Sequence, residues 1–277
     1  MVLEVIIYDC DGVLVDSREA NRAFYNHILD RFGLGPLTEA QLAVVHVSTA
    51  QGAIDFLFQG HPGREEAQAY QRTINNDPFL PLIRPEPHIR EVLIRLRSRY
   101  LTAIATNRGK SLPLVLRKLD LDDLFDLTVS AYDVTRPKPH PECLEKILAH
   151  FRLEPEAALY IGDAALDQEV AAAAGVPFAA YKNLELIARY HLQSHLDLLA
   201  VLNRLFQQFP GGPGAQILKV FGFLFSARGL LGRSRGGGFF SNRRGGGLPG
   251  PRQGGGGGME ERSGDLHPLR GGQQGCV

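Results

Sequence analysis

The sequence predicts an α/β protein: a doubly wound parallel sheet, a Rossmann-like core, with an inserted all-helical cap. Three observations predict it. Residues 2–8, Val-Leu-Glu-Val-Ile-Ile-Tyr, are almost continuously apolar and rich in β-branched side chains, as a strand buried on both faces must be. From residue 100 to residue 181, similar apolar runs alternate with helical stretches, the pattern of parallel strands joined by crossovers. Between these parts, residues 18–84 carry helical periodicity only.

Taken in order, the first strand runs into Asp9-Cys10-Asp11-Gly12-Val13-Leu14-Val15-Asp16-Ser17. Ligands of open α/β sheets bind just beyond the carboxyl ends of strands, so Asp9 and Asp11 form a candidate catalytic pair. Gly12 lets the chain turn sharply behind them. Ala20, Ala23, Phe24, Ile28 and Phe32 mark the apolar face of a helix that Gly33-Leu34-Gly35-Pro36 ends. Further helices are expected over residues 39–47, 49–59 and 64–74, and Pro78, Pro81, Pro85 and Pro87 mark the return of the chain from this block. A helix over 86–99 precedes a strand over 100–107 that ends in Thr106 and Asn107. A helix over 109–119 and a strand over 127–131 follow.

In Arg136-Pro137-Lys138-Pro139-His140-Pro141 the prolines set the backbone direction and leave Lys138 forward. After a helix over 142–151, a strand over 158–161 enters Gly162-Asp163-Ala164-Ala165-Leu166-Asp167, and the Ala-rich helix opened there stops at Gly175. A strand over 176–181 and a helix over 184–205 complete the core. The expected domains are therefore a core over 1–16 and 85–204, a helical cap over 17–84, and a tail over 205–277.

The tail is a different kind of sequence. It holds 22 of the 31 glycines, with nine Lys and Arg against three Asp and Glu, although the whole chain has net charge +0. Such composition predicts disorder, and its Arg-Gly segments resemble RNA-binding tails. Cys10, Cys143 and Cys276 are too few and too scattered for a disulfide framework or a zinc site, so a reducing compartment, the cytoplasm, is expected. Neither an export signal nor a membrane span is read in the chain. Its oligomeric state cannot be read from it.

Parallel strands end on one edge of the sheet, so Asp9, Asp11, Thr106, Asn107, Lys138, Asp163 and Asp167 should converge. That makes an acidic pocket with one lysine, which repels an anionic substrate unless a hard cation joins it. Carboxylate oxygens with few fixed ligands suit Mg²⁺, here on Asp9 and Asp163. With a phosphate bound, Asp9 can attack phosphorus and form an aspartyl-phosphate. Asp11 can protonate the leaving oxygen and later deprotonate water. Thr106 and the backbone amides after it can hold phosphate oxygens, Lys138 offsets charge, and Asp167 orients Lys138 or bound water. His140, set between prolines, is read as a loop residue. His27 and His46 are read as helix-face residues of the cap, with His46 near its entrance.

The four segments around Asp9, Ala105-Thr106-Asn107, Arg136-Pro137-Lys138-Pro139 and Gly162 to Asp167 resemble, in that order, the four motifs of haloacid dehalogenase-like hydrolases. The resemblance spans about residues 1–204, and the helical insert is similar to the small cap of phosphoglycolate phosphatases and beta-phosphoglucomutases. It implies a Mg²⁺-dependent phosphotransferase, a phosphoric monoester hydrolase acting on a small phosphorylated metabolite such as phosphoglycolate, with Asp9 as nucleophile and the Cys10 carbonyl as a further metal ligand. Dehalogenase members lack a second carboxylate, so Asp11 favours phosphate chemistry. Two positions depart from the pattern: Ala164 stands where relatives often have Ser, and Thr49 falls where sugar-phosphate mutases carry a basic residue. A mutase is the alternative reading, and a non-catalytic core with an RNA-binding tail is a third.

Overall fold

The computed structural model describes residues 2–208; the tail expected from residue 205 lies outside the described residues from 209 onward. The chain forms β1 (Val5–Tyr8), β2 (Val15–Asp16), α1 (Arg18–Arg31), α2 (Glu39–Val47), α3 (Ala50–Leu57), α4 (Arg64–Thr73), β3 (Arg84–Pro85), α5 (Ile89–Leu96) and β4 (Leu101–Ala105). It continues with α6 (Leu112–Lys118), β5 (Leu127–Val129), α7 (Glu142–Phe151), β6 (Ala158–Gly162), α8 (Ala165–Ala174), β7 (Phe178–Tyr181), β8 (Tyr190–Leu192) and α9 (His195–Gln208).

Six strands form one sheet in the order β5-β4-β1-β6-β7-β8, and every neighbouring pair is parallel. Alternate residues of β1 explain its apolar sequence. Ile6 and Tyr8 enter one buried layer with Leu93, Leu116 and Leu198, while Val5 and Ile7 enter the other with Leu144, Ile147 and Val170. All four side chains of the strand are buried because helices cover both faces. The chain builds outward from β1 to β4 and β5, then returns to β6 on the other side of β1. The carboxyl end of β1 therefore lies at a switch point of the sheet, where a crevice opens.

The helices α1 to α4 have a hydrophobic layer of their own, including Tyr25, Ile28, Leu42, Ile54 and Phe58. Thr38 opens α2 through a reciprocal capping box with Gln41, which satisfies backbone donors at both residues. The block joins the sheet through two short strands, β2 and β3, which pair antiparallel. At that junction the Glu86 N–H donates to the Leu14 carbonyl at 2.9 Å.

Two expectations need correction. Residues 184–205 were expected as one helix, but they form a loop, the edge strand β8 and only then α9. With three residues, β8 is too short to show a period, and its pairing with β7 makes it a strand. The strands β2 and β3 were also not expected; each has two residues, and only their mutual pairing defines them. Among the described residues, no helix is long and apolar enough to cross a membrane.

Candidate active site

The registers Tyr8↔Ile104 and Tyr8↔Ile161 align the ends of β1, β4 and β6, so Asp9, Thr106 and Asp163 reach one edge. Between them the chain must turn tightly. Gly12 has φ of 79°, and a Cβ there would collide with the Asp163 carboxylate, so the absence of a side chain at residue 12 makes room for the acid.

Lys138 enters from the loop after β5 and is buried. Its ammonium donates to Asp9 Oδ1 at 2.8 Å, Asp167 Oδ1 at 2.7 Å and the Tyr160 hydroxyl at 2.8 Å, which uses all three of its N–H groups. Burial opposes its charge, but Asp167 and Asp9 outweigh burial and raise the Lys138 pKa. The Tyr160 hydroxyl donates in turn to Asp167 Oδ1 at 2.7 Å. Asp167 Oδ2 accepts from the Asp163 and Ala164 N–H groups, each at 3.3 Å.

Asp9, Asp163 and Asp167 can bring one carboxylate oxygen each within 4.8 Å of one another. Burial pushes the Asp9 carboxyl up to about 7, with Lys138 opposing the rise and Asp167 and Asp11 adding to it. Burial, then the charges of Asp9 and Asp167, push Asp163 up to about 8. Lys138 pairs with Asp9 and Asp167, whereas Asp163 has no ion-pair partner among the described residues. Three crowded carboxylates facing one lysine fit a hard divalent cation such as Mg²⁺.

The Cys10 carbonyl, expected as a metal ligand, closes the turn, accepting from the N–H groups of Leu14 at 2.8 Å, Val15 at 3.1 Å and Val13 at 3.4 Å. The Asp11 carbonyl accepts no hydrogen bond among the described residues and adjoins Gly12, which lies against Asp163.

Asp11 is held by residues on both sides. It accepts from the Ser17 hydroxyl, from Arg108 Nε at 2.9 Å on Oδ2, and from Arg108 Nη2 on Oδ1. Burial favours its neutral form, but the Arg108 charge and paired N–H groups prevail and lower the Asp11 pKa. Arg108 is the residue that sequence reasoning missed. The available signal was a cation directly after Thr106-Asn107, the motif that ends at this same edge. Tyr160 was missed as well, because its position inside β6 reads as core.

Thr106 is buried, and its hydroxyl accepts from the Arg108 N–H at 3.1 Å. The Asn107 side chain bonds within the protein. Its Nδ2 donates to the carbonyls of Val47 at 3.1 Å and Lys138 at 3.3 Å, and its Oδ1 accepts from the Lys138 N–H at 3.1 Å. Asn107 thus positions the lysine loop and ties it to the end of α2. Thr49 caps α3, accepting from Gly52 N–H at 3.0 Å. His140 Nδ1 accepts from the Glu142 N–H in its own loop, at 3.2 Å. All these strand ends face a cavity whose far wall includes Asn21, Tyr25 and His46 from the helical block.

A profile of haloacid dehalogenase-like hydrolases matches residues 6–181. The chain belongs to this family. A hydrolase of the same superfamily from Geobacter sulfurreducens, subfamily IA, is 39% identical with a TM-score of 0.60, covering 72% of this chain and 96% of that one. The Phosphorylated carbohydrates phosphatase of Thermotoga maritima is 25% identical over 179 residues, 63% of this chain and 82% of that protein. Pyrophosphatase PpaX of Bacillus cereus is 25% identical over 165 residues, 59% of this chain and 76% of that protein. The expected family, fold and enzyme class, a phosphoric monoester hydrolase, therefore stand.

Proposed function

We propose that this protein is a Mg²⁺-dependent, cytoplasmic phosphatase that hydrolyses a small phosphorylated metabolite, phosphoglycolate-like in size, through an aspartyl-phosphate on Asp9. The observation that carries this reading is the convergence of Asp9, Asp11, Lys138 and Asp163 at one sheet edge under a helical block. Asp9, Asp163 and the Asp11 carbonyl are the donors proposed for the metal. Bound there, Mg²⁺ would offset the joint charge of the phosphate and the carboxylates.

Asp9 is the nucleophile, aimed by its hydrogen bond from Lys138. Asp11 gives a proton to the leaving oxygen and takes one from the attacking water. The Thr106 hydroxyl and the backbone N–H of Asn107 hold phosphate oxygens, and Lys138 opposes the charge that builds at phosphorus. Asp167 and Tyr160 keep Lys138 in place. The helices α1 to α4 act as a lid that closes over the leaving group and excludes water. Thr49 is occupied as a helix cap, which favours hydrolysis over the mutase alternative.

The test is phosphate release from a panel of phosphorylated metabolites with and without Mg²⁺, for the wild type and Asp9→Asn. Mg²⁺-dependent release by the wild type and none by the variant is expected. Undiminished release by Asp9→Asn would overturn the mechanism.

A further inference from the structure

Lys138 and Arg108 are each matched by carboxylates at the catalytic end of the cavity. Two more cations line the same cavity without such a match: Arg72, at the end of α4, and Lys110, in the loop before α6. Neither has a carboxylate within 4.0 Å among the described residues. Lys110 Nζ donates to the Arg72 backbone carbonyl at 3.5 Å, across the boundary between helical block and sheet, so both residues sit on this part of the cavity wall. Cations without carboxylate partners on the wall of one cavity raise the local concentration of anions there.

Uncommitted donors lie on the same wall. A guanidinium carries five N–H groups. Arg108 uses Nε and one on Nη2 for Asp11, and one on Nη1 for the Ser111 hydroxyl at 2.9 Å, which leaves two. Its side chain is only 8% exposed, so it is already largely desolvated. The Asn21 amide nitrogen lies 2.9 Å from His46 Nδ1. With that amide as donor, the neutral His46 ring carries its proton on Nε2, which has no partner among the described residues. An uncharged polyol would use some of these donors but leave the charges of Arg72 and Lys110 unmatched.

We propose that Arg108, with Arg72 and Lys110, forms a second anion subsite that selects phosphorylated substrates whose leaving group carries another anionic group, a carboxylate or a second phosphate. Arg108 holds that group by its two remaining N–H groups, beside the acid that protonates the leaving oxygen. Arg72 and Lys110 supply charge from the two sides of the mouth. This subsite rests on the phosphatase reading above and names what its substrate must carry.

The experiment compares phosphoglycolate, pyrophosphate and ethyl phosphate with the full chain and Mg²⁺. kcat/KM is measured for the wild type, Arg108→Gln and the double variant Arg72→Gln/Lys110→Gln. Dissociation constants are measured in the Asp9→Asn background with and without the same changes. The wild type is expected to favour at least one of the two doubly anionic compounds over ethyl phosphate by roughly 10- to 100-fold, the worth of one charge-assisted hydrogen bond. Whether phosphoglycolate or pyrophosphate leads tells a carboxylate from a phosphate as the second anion.

Arg108→Gln should bring that preference to within about 3-fold, seen mainly in KM and in the dissociation constants, with the smaller charge effect of the exposed double variant lowering it in the same direction. A wild type without the preference, or an Arg108→Gln that loses activity equally on all three compounds, would overturn the subsite. If Arg108→Gln does not fold, the surface double variant decides, and an unchanged preference there overturns it. Absence of phosphate release from every compound would overturn the phosphatase reading, and the binding ratios would still decide the subsite.

Discussion

Lys138 Nζ and Asp167 Oδ1 lie 2.7 Å apart, and both side chains are buried with their charges. Neither touches solvent enough to be stabilised by it, so each depends on the other. The pair also aims the lysine at Asp9, so a residue on α8 controls the setting of the proposed nucleophile just beyond β1.

Asp167→Asn keeps the shape and removes half of that pairing. Activity should fall roughly 10- to 100-fold, the usual effect of losing a residue that orients a site from behind. Lys138→Met should abolish turnover and also destabilise the fold by about 3–5 kcal/mol, because it leaves two buried carboxylates without a cation. Steady-state phosphate release and urea unfolding of both variants check this. Equal stability of the two would refute the dependence described.

Asp11→Asn separates the two half-reactions. With p-nitrophenyl phosphate the leaving group needs little help from an acid, so Asp9 should still be phosphorylated. Hydrolysis of the aspartyl-phosphate lacks its base, and steady-state turnover should drop about 10²- to 10⁴-fold. A rapid burst of p-nitrophenol followed by a slow phase is the expected trace; a uniformly slow trace without a burst would place Asp11 elsewhere in the reaction.

Gly12→Ala should hurt the protein twice. A side chain at φ of 79° costs about 1–2 kcal/mol in the left-handed region. The new methyl group also meets the Asp163 carboxylate and must displace it. Expected outcomes are a lower urea midpoint and a higher Mg²⁺ concentration for half-maximal activity. An unchanged Mg²⁺ response would show that Asp163 is not a metal ligand.

The contribution of His195 to stability should fall in mild acid. Its ring is buried, stacks on Tyr181 at 4.5 Å between centroids, and Nε2 donates to the Val13 carbonyl at 2.8 Å. Burial lowers its pKa to about 4, against 6.5 for an ordinary histidine. Between those values the unfolded chain binds a proton that the folded chain refuses, so stability is present above about 6.5 and is lost as pH falls toward 4. At ~1.4 kcal/mol per pH unit the loss is roughly 3 kcal/mol. Asp9 and Asp163, pushed up by burial, titrate in the opposite direction in both proteins, so the difference in urea-unfolding free energy between wild type and His195→Gln is the readout: it should shift by that amount from pH 7 to pH 4, and a difference that stays constant with pH would refute the assignment.

The fold and most of the site were legible in the sequence because they depend on local regularities. The apolar run of residues 2–8 can be satisfied only by burial on both faces, and acids at strand ends follow from the polarity of a parallel sheet. What was not legible depends on partners far away in the chain. β8 is a strand because β7 lies beside it. That the Asn107 side chain would bond the carbonyls of Val47 and Lys138 was likewise not legible.

The sequence by itself determined the parallel α/β core, the helical insert and the acidic strand ends, since periodicity, turn residues and motif order are properties of neighbours along the chain. Only the tertiary structure decided that Arg108 grips Asp11, that Tyr160 and Asp167 hold Lys138, and that Arg72 meets Lys110 at the cavity mouth. Those contacts join residues separated by as many as 97 positions, and the energy of a buried charge is set by what surrounds it in space, which no stretch of sequence contains.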